Sequence, residues 1–237
     1  MDASRARTVY GGVVDFDATG FDLDVTANPT ANWRIFSSVG RQRTVNSNTA
    51  AALETWFLER LPVWQSYPSW ANARMPTGSL LIHEAFQTNV YNAYYYDLAL
   101  KNGSSVENQR QWRANIVSNY RFPAGRLRGW TVGGAVRYRS GAIIGYPLSS
   151  VTAPDGQMVT VTDLDRPYRS NDEITWDALL RYEFKLADRL TCKLQLNVRN
   201  VFEQNLRVRA AAYSDGGISR YFRQEPRSAM LETTVAF

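Results

Sequence analysis

The sequence predicts an all-β fold: an antiparallel transmembrane β-barrel segment of about seven long strands, an incomplete barrel, with short helices in one long loop. Three observations predict it. Apolar and polar residues alternate with period 2 over stretches of up to about a dozen residues, short and long connections alternate, and large aromatics stand at both ends of several strands.

The strands follow in chain order. "FDLDVTA" sets Phe21, Leu23, Val25 and Ala27 against Asp22, Asp24 and Thr26, turns at "NPTAN" (28–32), and continues as a less regular strand from Trp33 to about Arg43. "WRANIVSNYRF" places Trp112, Ala114, Ile116, Ser118, Tyr120 and Phe122 on one face. After a short turn (122–129), Trp130, Val132, Gly134, Val136 and Tyr138 oppose Thr131, Gly133, Ala135, Arg137 and Arg139. From Ile174 to Leu186 every even position is apolar or aromatic; a turn near 187–189 leads to Leu190, Cys192, Leu194, Leu196 and Val198 on one face. The last strand, "AMLETTVAF", alternates to a terminal Phe237. Two strands of this length joined by a tight turn make a hairpin longer than an ordinary sandwich uses.

Long excursions are expected at about 46–104, 140–172 and 202–219, and short turns at the opposite strand ends. That asymmetry is a signature of outer-membrane β-barrels. The loop at 46–104 is expected to carry a helix over "NTAAALETWFLERLP", stopped by Pro62, and a second helix ending near Gly103.

The pairs Trp112 and Tyr120, Trp130 and Tyr138, and Trp176 and Phe184 each share a face eight residues apart. Eight residues at about 3.3 Å, tilted about 40°, span roughly 20 Å, within an apolar band of about 25 Å flanked by aromatic girdles. These six residues and Phe237 are therefore expected at the membrane interfaces. The opposite face carries Arg113, Arg121, Arg137, Arg139, Arg181, Lys185, Lys193 and Arg199 against Asp177, Glu183 and Glu232, a set that calls for a wet or paired lumen. The competing expectation is a stand-alone soluble β-barrel or β-sandwich whose apolar face is its core and which binds an apolar ligand or partner.

Composition narrows the function classes. The 237 residues are 44% hydrophobic, which argues against disorder, and carry 24 Arg and 3 Lys for a net charge of +5. The arginines fall singly or in pairs rather than in a block, so a basic surface or lining is favoured over nucleic-acid binding. No apolar run is long enough for a membrane helix, and the first residues show no apolar signal core. One His and one Cys cannot form a conventional zinc site; His83 reads as a loop-packing residue and Cys192 as an inert thiol against lipid. "GWTVGG" lies inside a strand and is no phosphate loop. No enzymatic activity and no cofactor are expected. Candidates for ligand contact are Arg137 and Arg139 near the long-loop rim, with the loop aromatics Trp56, Trp64, Tyr94 and Tyr95.

The segments "GFDLDVTANPTANWRIF", "QRQWRANIVSNYRF", "GGAVRYRS", "LQLNVRNVFEQN" and "EPRSAMLETTVAF" together resemble the C-terminal part of a TonB-dependent outer-membrane receptor. The most telling pieces are Asn197, Asn200, Val201 and Phe202, and the "EPR" that enters the aromatic-ended last strand. The resemblance implies residence in the outer membrane of a Gram-negative-type bacterium and uptake of a scarce nutrient such as a ferric siderophore. It implies three kinds of partner besides outer-membrane lipid: a plug domain, the TonB energy-coupling complex, and the assembly machinery that reads the C-terminal strand. It also implies a single partial barrel domain over 1–237, without its plug and not transporting alone.

Overall fold

The computed structural model describes residues 14–49, 51–76, 80–88, 101–152, 158–187, 190–204 and 207–236. Thirteen strands, three α-helices and one 3-10 helix (Gly125–Leu127) occur among them. Seven strands form one sheet in the order β1 (Asp15–Thr30), β2 (Trp33–Ser47), β3 (Trp112–Arg121), β4 (Trp130–Arg139), β9 (Glu173–Ala187), β10 (Leu190–Arg199) and β13 (Ser228–Ala236), each antiparallel to its neighbour. The sheet is open: β1 and β13 are its edges.

The register converts the alternation of single strands into one continuous face. Trp33 pairs with Tyr120, Tyr120 with Val132, Val132 with Leu180, Leu180 with Leu196, and Leu196 with Leu231, so one row crosses six strands on the apolar side. A slip of one residue in any ladder would turn that strand's apolar set to the other face.

Among the described residues nothing covers this face. Leu23 is 58% exposed, Ile116 50% and Leu231 70%, and of the sheet's apolar residues only Cys192 is buried. Cys192 is thus screened by its neighbours, with Phe184 and Val235 opposite it on the flanking strands, rather than open to lipid. The buried apolar residues lie instead among the long excursions: Ala85, Phe86, Ala142, Ile143, Ile144, Tyr146, Val159, Val161 and Val208.

Several boundaries differ from expectation. Strand β1 continues through Asn28, Pro29 and Thr30, leaving only Ala31 and Asn32 to turn; Pro29 is tolerated because β1 is an edge whose outer N–H positions need no partner in the sheet. The helix α1 (Ala51–Gln65) runs through Pro62 instead of stopping there, since proline's φ is helical and only one backbone bond is lost. A short α2 (Ser69–Asn72) follows. The second expected helix is described only as α3 (Ile82–Phe86) and the turn after it; its continuation to residue 100 lies outside the described residues, as do Asp188, Arg189 and Phe237. The excursions hold short strands that the sequence did not announce: β5 (Ile143–Gly145) with β8 (Tyr168–Arg169), β6 (Leu148–Thr152) with β7 (Met158–Thr162), and β11 (Arg207–Ala212) with β12 (Ile218–Arg223). The last pair extends the third excursion to residue 227.

Close backbone approach makes one strand glycine irreplaceable. A Cβ on Gly20 would stand 2.2 Å from the Arg41 carbonyl oxygen, which is ladder backbone, whereas a Cβ on Gly133 would meet the movable end of Asn119 at 2.0 Å. Gly20→Ala should therefore lower the unfolding free energy by about 1–3 kcal/mol, the usual range for overpacking, and Gly133→Ala by clearly less. Urea unfolding in lipid or detergent checks both.

Candidate functional site

The sheet presents two functional faces, and the apolar one ends in an aromatic band at each rim. At the short-turn rim, Trp130 stacks on Tyr182 with ring centroids 4.7 Å apart, and Tyr182 stacks on Phe184 at 5.4 Å. Tyr120 meets Phe122 edge to face at 5.0 Å, and the Trp33 indole N–H donates to Ser118 Oγ at 2.9 Å. At the long-loop rim, Phe21 meets Trp112 at 5.9 Å and Trp176 meets Phe202 at 5.9 Å, while the Tyr138 hydroxyl donates to Asp172 at 3.0 Å. Amphipathic rings of this kind suit a boundary with one apolar and one wet side.

The structure thus brings Trp112, Tyr138 and Trp176 to one rim and Tyr120, Trp130 and Phe184 to the other. It adds Phe21, Trp33, Tyr182 and Phe202, which sequence did not place at the rims. Phe21, Trp33 and Tyr182 share the parity of the apolar face, a signal that could have found them. Phe202 lies past the end of β10, and only tertiary packing seats it on Trp176.

The opposite face is polar and cross-linked. Asp22 on β1 reaches Arg113 on β3 at 3.1 Å across Gly40 of β2, where a Cβ would lie 2.2 Å from Asp22 Oδ1. Arg137 donates to Asp177 Oδ2 at 2.6 Å, and Asp177 Oδ1 accepts the Asn200 backbone N–H at 3.0 Å. Arg181 donates to Gln195, which donates in turn to Asn197. Arg137, a candidate for ligand contact, is therefore held by a carboxylate. Arg139 stands two residues on, on the same face, and opposite Glu173 in the β4–β9 ladder.

Three excursions interlock above the long-loop rim. Arg110 in the first binds Glu173 at the start of β9 and donates to the Ser140 carbonyl at 2.7 Å. Asn108 N–H donates to the Ile143 carbonyl at 2.8 Å, and the Tyr168 hydroxyl donates to the Ser214 carbonyl at 3.1 Å. Burial pushes the Tyr146 phenol above the ordinary tyrosine range, Glu107 adds to the shift, and Arg169 opposes it. The Arg166 hydrogen bond holds the Asp163 carboxyl below the ordinary range. In the first excursion Trp56 and Trp64 meet edge to face at 5.6 Å, and Phe86 contacts Trp64 at 5.4 Å and Trp70 at 5.1 Å. Trp56 and Trp64 thus belong to a loop aromatic cluster, apart from the ion pair that holds Arg137. Tyr94 and Tyr95 lie outside the described residues. His83 sits half-buried in α3, its Nδ1 buried without a hydrogen-bond partner. Among the described residues no three His, Cys, Asp or Glu side chains converge as a metal site would require.

An open antiparallel meander with long strands, an exposed apolar face banded by aromatics, and a charged reverse face defines a wall segment of a transmembrane-type β-barrel. Among solved structures the chain is similar to three outer-membrane or siderophore receptors. For the ferripyoverdine receptor of the outer membrane of Pseudomonas aeruginosa bound to ferripyoverdine, identity is 14% and the TM-score 0.45, over 93% of this chain and 19% of that one. For the siderophore receptor PiuA from Acinetobacter baumannii the values are 16%, 0.47, 94% and 22%. For the closed form of the ferric-catecholate import receptor Fiu from E. coli K12 they are 19%, 0.46, 93% and 21%. The chain spans about a fifth of the length of each receptor. No protein-family model and no curated protein matches the sequence. The wall assignment stands on the sheet's own register and exposure.

The two ion pairs of the polar face should differ in weight. Asp22 and Arg113 are 66% and 65% exposed, so Asp22→Asn should cost at most about 1 kcal/mol. Asp177 is 20% exposed and serves two donors, so Asp177→Asn should cost about 1–3 kcal/mol and speed hydrogen exchange at the Asn200 amide. Exchange measured by NMR in micelles distinguishes the two.

Proposed function

We propose that the chain is the C-terminal wall segment of a TonB-dependent outer-membrane receptor, one that takes up a scarce nutrient of the ferric-siderophore class. The carrying observation is the exposed apolar face, which runs unbroken over seven strands and is bounded at both rims by aromatics. A protein in water rarely exposes a contiguous apolar patch of this extent. In a bilayer the same face is solvated by lipid, and the backbone is paired along the ladders. The outer membrane of a Gram-negative-type bacterium is the location this reading implies.

The charged face then looks into the lumen, where the plug domain would meet it, and the interlocked excursions form the outer mouth. Of the ligand candidates, Arg139 with the Trp56–Trp64 cluster and Tyr94 and Tyr95 suits an anionic chelate, while Arg137 serves the wall through Asp177. The single partial barrel domain transports nothing until the rest of the barrel, the plug and the TonB complex complete it. The C-terminal strand β13 is read by the assembly machinery.

The lipid-facing assignment is tested by folding into lipid vesicles. Leu180→Arg or Leu194→Arg should cost about 2–4 kcal/mol if the site lies near the bilayer midplane, while lumen-facing Gln195→Arg should be far milder. Equal losses on the two faces would remove the assignment, and a chain that stays monodisperse without detergent would restore the soluble alternative.

A further inference from the structure

The registers that align the apolar face also expose its exceptions. Following the alternation through β1, β2, β3, β4, β9, β10 and β13, the lipid-side positions between the two aromatic bands carry no charge. At the long-loop rim this changes: β1 carries Asp17 and Asp15 on that face, and β2 carries two cations. After Trp33, Ile35, Ser37 and Val39, the same face carries Arg41 and Arg43, both exposed. Arg41 pairs with Phe21 on β1 and with Trp112 on β3, and its guanidinium carbon lies 5.4 Å from the centroid of the Trp112 ring. Phe21 closes on that ring from its edge, so the Arg41 side chain rests on the rim band. Arg43 stands one same-face step farther out, opposite Thr19.

Neither guanidinium is neutralised by a described residue. Among the described residues no carboxylate lies within ion-pair distance of Arg41 or Arg43. Asp22 belongs to Arg113 on the other face, Glu173 binds Arg110, and Asp17, the nearest same-face acid on β1, sits opposite Val45 and makes no ion pair. Two unpaired planar cations on the lipid side, at the height of the interfacial aromatics, face the headgroup layer of the membrane. A guanidinium fork matches phosphate oxygens in bidentate geometry, and a long stem lying on an aromatic ring keeps the charged end at the interface.

We propose that Arg41 and Arg43, with Trp112 as the floor, form a seat for the phosphate of a lipid headgroup in the leaflet at the long-loop end. The proposal rests on the lipid-facing reading of the sheet and names the lipid chemistry that one strip of it selects. The seat lies outside the lumen and involves none of the residues placed at the outer mouth.

The test uses the full chain in a neutral detergent, titrated with short-chain phosphatidic acid, phosphatidylcholine or inorganic phosphate, with bound lipid counted by native mass spectrometry. The wild type should bind phosphatidic acid in preference to phosphatidylcholine, and millimolar inorganic phosphate should displace it poorly. Each cation near a lipid surface contributes about fivefold in affinity, so the Arg41→Gln/Arg43→Gln variant should bind phosphatidic acid roughly thirtyfold more weakly. Arg41→Lys/Arg43→Lys should retain most of the binding, and Arg34→Gln, on the lumen side of the same strand, should leave it unchanged. Far-UV circular dichroism of each variant confirms that the sheet persists. Wild-type affinity in the double glutamine variant would overturn the proposal, as would equal loss in Arg34→Gln. Inorganic phosphate binding as tightly as the lipid would reassign the seat to a free anion. A chain monodisperse without detergent would sink the lipid-facing reading itself, a different outcome from a lipid-covered face without headgroup preference.

Discussion

The antiparallel ladder governs everything else in this chain. Six strand pairings hold seven strands in fixed register, and each satisfies backbone donors and acceptors along the strands it joins. Because side chains alternate with a strict period of 2, the same pairings decide which residues stand on the apolar face and which on the polar one. Trp33 and Leu231 lie on one face for no local reason. They are joined by the row through Tyr120, Val132, Leu180 and Leu196.

Stability is consequently distributed in an unusual way. A soluble domain packs its sheet under a second layer, but here the buried apolar side chains gather in the excursions, around Ile143, Tyr146, Val159 and Val208. The wall between them is fastened by the ladder and by links on the polar face. Gly40 lets Asp22 and Arg113 meet across a strand, and Asp177 ties β4 to the chain leaving β10. Arg110, bound to Glu173 and to the Ser140 carbonyl, then joins the loop layer to the wall at the long-loop rim.

Strand parity adds a constraint on assembly. With seven strands in a meander, β1 and β13 run in the same direction, so pairing them directly would be parallel. Antiparallel closure takes an odd number of further strands between those edges. Copies of this chain inserted in one orientation cannot supply them with antiparallel pairing alone. The remainder of a receptor barrel can, which agrees with the proposal that the chain is one portion of such a wall.

Much of this was legible in the residue order, because alternation is local. Strands β3, β4, β9 and β10 and the two faces each presents follow from period-2 patterning, as do the rim aromatics Trp112, Tyr120, Trp130, Tyr138, Trp176 and Phe184. The short strands β5 to β8, β11 and β12 were invisible, since pieces of two to six residues carry too little periodicity and exist only because a partner segment pairs with them. The end of α1 was misread because Pro62 as a stop signal is a propensity, which a helix carries at the loss of one backbone bond. Sequence named Arg137 as a candidate for ligand contact and put Asp177 on the same face, and the β4–β9 register brings the two within hydrogen-bond distance. Period and composition determined that the chain is a two-faced antiparallel wall. Which charges are cancelled and which, like Arg41 and Arg43, meet no acidic partner among the described residues was decided by the tertiary structure, because neutralisation depends on distances between strands that sequence neighbours do not set.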